Sequence, residues 1–225
     1  MSASVKNNVT NRNLSDLLAP DRARKIVSGS WGKRAAVNLL FDSNNIASAS
    51  VLMIQRAKHE RDPWSGQMAF PGGRQEKTDK STLETAKRET FEEVGFDIDS
   101  SVDSSGGAQL LGRLSDINVK QRSIKINLIV TPYIFGVEER PKLAANYEVA
   151  DLVWIPLSDF ADFSKRKQHK FRYGSLTFNL PCYHFGGDQL VWGLSLAMID
   201  ELLARMGSVV PELEKLEELG YGLFQ

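Results

Sequence analysis

The sequence is poor in the residues that build disulfide or zinc frameworks. Its single cysteine, Cys182, cannot form an intrachain disulfide and has no cysteine partner for a structural zinc site. With only three histidines, His59 finds no second His or Cys at ligand spacing and reads as an ordinary polar residue. No apolar run approaches the roughly 20 residues needed to span a bilayer, and the N-terminus lacks the apolar core of a secretory signal. These absences lead us to expect a soluble cytoplasmic protein with no membrane partner. Net charge is also missing, because 28 Lys and Arg balance 28 Asp and Glu. A general nucleic-acid binder carries a basic excess, so nucleic acid is not an expected partner and any polyanion is recognised locally.

What is present concentrates in residues 70–96. Phe70-Pro71-Gly72-Gly73 reads as a type II turn, with Pro71 presetting φ and Gly72 tolerating a positive φ. Ser81 followed by Glu84 has the form of a capping box, and Leu83, Ala86, Thr90 and Val94 recur at helical spacing until Gly95. The spacing predicts a helix over 82–94. Its other face carries Glu84, Arg88, Glu89, Glu92 and Glu93, and the last three of these point the same way. Glu92 and Glu93 also stand in the last turn, where the macrodipole disfavours negative charge by roughly 0.3–1 kcal/mol each. Arg88 offsets part of this repulsion. Two readings fit: a solvated charged face, or a set of hard oxygen ligands for Mg²⁺ or Mn²⁺. The adjoining glycine turn favours the second.

Around this stretch, residues 35–41 and 49–55 read as a strand hairpin. Arg56 and Arg61 then bring cations to the glycine turn, suited to phosphate oxygens, and Trp64 is placed to stack on a base. A solvated loop with one anchoring Trp is the alternative. Further strands are expected at 109–114, at 123–135, around Trp154, and at 176–185 and 189–192, with helices at 194–206 and 211–219. The basic run at 165–172 is either a phosphate-binding patch or a solvated loop. Leu213, Leu216 and Leu219 are set to pack on the domain or on another subunit, so a homodimer is one expectation. Strands on both sides of the carboxylate helix, with a second long helix late in the chain, indicate an α/β fold with a mixed sheet between helices.

Gly73 together with Arg88-Glu89-Thr90-Phe91-Glu92-Glu93-Val94-Gly95-Phe96 resembles the Nudix box. Asp79 stands where that pattern has a spaced glutamate, with eight rather than seven residues between it and Arg88, and Thr90 replaces the usual aliphatic. This expansion, with Phe70-Pro71-Gly72-Gly73, Glu76 and Asp79, is similar to the coenzyme A pyrophosphatase branch. So are Arg56-Ala57 and Arg61 ahead of Gly66-Gln67-Met68-Ala69-Phe70, and the later landmarks Val130-Thr131-Pro132-Tyr133, Trp154-Ile155-Pro156-Leu157 and Val191-Trp192-Gly193-Leu194. The loop departs from the branch, with four residues between Arg61 and Gly66 in place of three.

The resemblance implies a Nudix-type α/β/α sandwich, taken as residues 31–207, while the polar start of the chain at 1–30 reads as a partly disordered N-terminal extension and 208–225 as a helical appendage. It implies metal-dependent hydrolysis of a nucleoside diphosphate linked to another moiety: coenzyme A or its acyl derivatives, or else ADP-ribose, NADH or a dinucleoside polyphosphate. A non-catalytic nucleotide-binding module is the alternative of another class. Glu89 and Glu93 would be principal ligands of Mg²⁺ or Mn²⁺, Glu92 a ligand directly or through water, and the Gly72 carbonyl would complete the shell. Arg88 would orient the glutamates, and Glu148 would serve as a further ligand or base. Arg56, Arg61, Gly72, Gly73 and Trp64 would bind substrate.

Overall fold

A computed structural model describes residues 12–18, 23–26, 33–60, 64–99, 107–121, 126–173 and 176–211. Its central sheet has eight strands: β1 (Lys33–Phe41), β2 (Ser50–Arg56), β3 (Met68–Ala69), β4 (Gly72–Arg74), β5 (Gln109–Arg113), β6 (Ile117–Gln121), β7 (Ile126–Gly136) and β8 (Val149–Pro156). β1 runs parallel to β7 along its whole length, and the remaining pairs are antiparallel, so the sheet is mixed.

Both faces of this sheet are covered, which explains the nearly continuous apolar runs in β1 and β2. Leu39, Phe41, Val51 and Met53 enter one core with Phe160 of α3 (Leu157–Ala161) and Leu196, Ile199, Leu202 and Leu203 of α4 (Gly193–Arg205). Leu40, Leu52 and Ile54, alternating with them, enter a second core with Val94 of α2 (Thr82–Val94). The layers are therefore helix, sheet, helix, as expected. A four-residue helix α1 (Leu14–Leu17) buries Leu14 and Leu17 in the α4-side core, so this part of the N-terminal extension packs on the domain.

The hairpin expected from β1 and β2 forms only at its tip. The two strands pair at Phe41 and Val51 and then splay apart. The segment 68–74 fills the gap as a wedge, β3 pairing with Ile54 and Gln55 of β2 while β4, the wedge strand beside α2, pairs with residues 35–37 of β1. Gly72 is consequently part of a strand rather than of a type II turn, and its φ of 157° lies far from the roughly +80° of that turn. Only glycine suits this position, since a Cβ would stand 2.4 Å from the Ala36 carbonyl oxygen.

A second, three-stranded antiparallel sheet comprises β9 (Lys167–Tyr173), β10 (Leu176–His184) and β11 (Leu190–Trp192). Much of the basic run at 165–172 is thus strand, and its first cations are already paired. Arg166 makes a bidentate pair with Asp200 at 2.8 Å from each nitrogen, buried beneath the Tyr183 ring, and Lys165 bonds Asp159. Neither is held out for a ligand's phosphate. The expected helix at 211–219 lies, from residue 212 onward, outside the described residues. Among the described residues no helix is long and apolar enough to cross a membrane.

Candidate active site

Helix α2 begins and ends where its sequence signals stand. Ser81 Oγ accepts the Glu84 N–H at 3.2 Å, and Gly95 closes the helix in the left-handed conformation at φ 68°. The capping box is modified, because the Glu84 carboxylate takes the Lys80 N–H at 2.8 Å. With its ends fixed, α2 lies across β1 and β4, and its acidic face meets the wedge strand.

Glu93 is the buried centre of this meeting, with 4% of its surface exposed. Its Oε2 accepts the Gly72 N–H at 2.8 Å, and Arg56 Nη1 stands 3.9 Å from Oε1. Burial pushes its carboxyl up to about 7; the charges of Glu89 and Glu148 push the same way, while the Gly72 N–H and Arg56 oppose them. Glu89 is raised as well, again chiefly by burial, with Arg88 opposing and the charges of Glu92 and Glu148 adding to the rise. The Glu89 carboxylate lies directly over Gly73, where a Cβ would come within 2.4 Å of Oε1.

Arg88 organises the outer side. Its guanidinium reaches Glu89 at 3.0 Å, Glu92 at 2.9 Å, Asp79 at 3.0 Å and the Arg74 carbonyl at 3.1 Å. Hydrogen bonding to Arg88 holds the Asp79 carboxyl down at about 2. The sequence placed Asp79 in the motif without giving it a role, and the structure pairs it with Arg88, at the position where the resembling pattern has glutamate.

Glu89, Glu92, Glu93, Arg88, Gly72, Gly73, Arg56 and Glu148 are therefore brought to one place. Glu148 arrives from the loop before β8, where its carbonyl accepts the Ala57 N–H at 2.7 Å. Trp64 is half-buried on the loop entering β3, and its carbonyl accepts the Gln67 N–H at 3.1 Å. Arg61 lies outside the described residues. Among the described residues no three His, Cys, Asp or Glu side chains form a ready-made metal cage, since Glu89 and Glu92 are turned toward Arg88. The donor set still fits a hard divalent cation: all oxygen, crowded with carboxylates, with two of them raised by burial and by mutual repulsion.

The sequence profile described as "NUDIX domain" matches residues 32–177. The chain belongs to the Nudix family. An uncharacterized Schizosaccharomyces pombe protein is 40% identical over 110 residues, which are 48% of this chain but 32% of that protein, so the match spans about a third of its length. Nudix hydrolase 3 of Caenorhabditis elegans is 29% identical over 85% of this chain and 81% of its own. A relative from Pectobacterium atrosepticum, the uncharacterized Nudix hydrolase NudL, is 31% identical over 67% of this chain and 72% of its own. The carboxylates gathered on α2 lie within the matched residues.

Proposed function

We propose that this Nudix hydrolase cleaves the diphosphate of a nucleoside diphosphate linked to another moiety, with coenzyme A or its acyl derivatives as the preferred class. The observation that carries the reading is the convergence on Glu93 of Gly72 from the wedge strand, Arg56 from β2 and the charges of Glu89 and Glu148. The preference for coenzyme A rests on the resemblance in Arg56-Ala57, Phe70-Pro71-Gly72-Gly73 and the spacing of Asp79 from Arg88. The domain is taken as residues 31–207, and a cytoplasmic location suits the buried free thiol of Cys182.

In this reading Glu89, Glu92 and Glu93, with the Gly72 carbonyl, would hold Mg²⁺ or Mn²⁺. Bound there, the cation supplies neutralisation of the diphosphate and acidification of a water. The chain's own residues do the rest. Arg88 keeps Glu89 and Glu92 in place, and Arg56 offers a guanidinium for phosphate oxygens beside Glu93. The low exposure of Glu93 keeps bulk water from screening these charges. Glu148 enters from the opposite loop, placed to take a proton or add a ligand.

The test is product analysis on coenzyme A, its acyl esters, ADP-ribose, NADH and dinucleoside polyphosphates with Mg²⁺ or Mn²⁺. Coenzyme A is expected to give 3′,5′-ADP and 4′-phosphopantetheine with the highest kcat/KM. Preferred turnover of another member would replace the substrate and keep the reaction. Tight nucleotide binding without any hydrolysis would instead establish a non-catalytic module.

A further inference from the structure

We propose that the turn at residues 185–189, acting through Asp188, positions residues 57–60 and 64–67 between β2 and β3 and thereby helps set which diphosphate-linked moiety the site accepts. This rests on the reading above, in which Arg56 offers its guanidinium to the phosphate oxygens of the substrate.

The turn is where the three-stranded sheet reaches the central one. Its own closure comes from Phe185 N–H to the Gln189 carbonyl at 3.0 Å and Gln189 N–H to the Gly186 carbonyl at 2.9 Å. Two consecutive side chains then grip two cross-strand neighbours. Gln55 Nε2 donates to Asp188 Oδ1 at 2.8 Å, and Gln189 Nε2 donates to Asp151 Oδ2 at 2.8 Å. Gln55 and Asp151 are directly paired between β2 and β8. Gln55 is buried and immediately precedes Arg56, whose guanidinium faces Glu93.

The second Asp188 oxygen faces Lys58 Nζ at 3.4 Å. Lys58 lies on the outgoing limb of the loop, and its stem passes under the returning limb, since a Cβ on Gly66 would sit 3.8 Å from Lys58 Cγ and Cε. The limbs are also laced by Arg56 N–H to the Gln67 carbonyl at 3.0 Å and His59 N–H to Ser65 Oγ at 2.7 Å. Asp188 therefore touches the strand that ends in Arg56 and, through Lys58, both limbs beyond it.

The Lys58–Asp188 pair is exposed, 81% and 63% for the two side chains, and pairs of this kind add little to stability. The contact with buried Gln55 is charge-assisted and stronger. Its loss leaves the fold standing and loosens residues 57–60 and 64–67, which is the behaviour of a positioning residue.

The test uses the full chain as wild type, Asp188→Ala, Asp188→Asn, Lys58→Gln and Asp188→Ala/Lys58→Gln, measuring Michaelis kinetics on the substrate panel and amide hydrogen exchange. Asp188→Ala is expected to raise KM about three- to tenfold with kcat within about twofold, and unequally between substrates. Exchange at 57–60 and 64–67 should quicken several-fold while 50–54 stays protected. Asn keeps an acceptor for Gln55 and should recover most of the loss, and Lys58→Gln should add little on top of Asp188→Ala. Unchanged exchange at 57–60 and 64–67 in Asp188→Ala overturns the proposal, as does a uniform fall in kcat with KM unmoved. If the wild type hydrolyses no diphosphate, the proposed function fails by itself, and the exchange measurement still decides whether Asp188 positions the loop.

Discussion

Arg88 donates to both carboxylate oxygens of Asp79, from Nε at 3.1 Å to one and from Nη2 at 3.0 Å to the other. This fork anchors the guanidinium that also holds Glu89 and Glu92, so Asp79 acts on the site one step removed from it. Its carboxyl, held at about 2, contributes stability that is present above the ordinary value near 3.8 and is lost as pH falls through about 2. Asp79→Ala is expected to cost about 1 kcal/mol at pH 7, allowing for solvent screening at the rim, and to lower turnover by about tenfold or more as Arg88 swings free. Urea unfolding at neutral pH and the steady-state rate check the two parts.

Glu93→Gln separates catalysis from stability. Without its charge hydrolysis should fall by orders of magnitude, roughly a hundredfold at least. Stability of the metal-free protein should move the other way. Because the Glu93 carboxyl is raised to about 7 from 4.5 by burial, the folded state binds the extra proton and loses stability as pH climbs between these values. The Gln variant, neutral throughout and able to accept the Gly72 N–H, escapes that loss. Thermal unfolding in a chelator should show it more stable than wild type at pH 8, by on the order of 2 kcal/mol, and level with it near pH 4. Equal difference at both pH values would count against burial as the cause.

Gly73→Ala tests the close approach of β4 to α2. The three atoms nearest the new methyl all belong to the Glu89 carboxylate, the mobile end of a long side chain, so the fold should stay within about 1 kcal/mol of wild type. Glu89 must swing away, and turnover should drop about tenfold or more with a higher metal requirement. Gly72→Ala meets Ala36 and Val37 backbone atoms instead and should be defective in folding. Circular dichroism melts beside metal titrations of activity distinguish the two variants.

Helix α2 was legible because its determinants are local: Ser81 and Gly95 as caps, apolar residues at helical spacing, and acids on one face. The sandwich was legible from the order of elements, with strands on both sides of the carboxylate helix and a second long helix late in the chain, and the two cores on either face of β1 and β2 match that order. The wedge at 68–74 was not. Strands of two and three residues carry no alternation, and what makes them strands is the splaying of β1 from β2, which sequence does not show. The basic run misled for a related reason, because Arg166 finds Asp200 across 34 residues of chain. The role of Asp79 was likewise hidden in a side-chain contact across a turn and a helix.

Thr90 occupies a position where the resembling pattern has an aliphatic residue, and the structure supplies a reason. Its hydroxyl donates to the Ala86 carbonyl at 2.7 Å and accepts from Asn38 Nδ2 at 3.0 Å, with both side chains buried between α2 and β1. Asn38 Oδ1 already lacks a partner there. Thr90→Val would remove the acceptor for the Asn38 amide as well, and a buried polar group left unsatisfied costs about 1–3 kcal/mol. Replacing both residues, Asn38→Leu with Thr90→Val, removes the donor along with its acceptor, so the double variant should recover much of the single variant's loss. Denaturant midpoints for the two singles and the double form a cycle that measures this coupling. Simple addition of the single effects would mean that Thr90 contributes through packing rather than through the bond to Asn38.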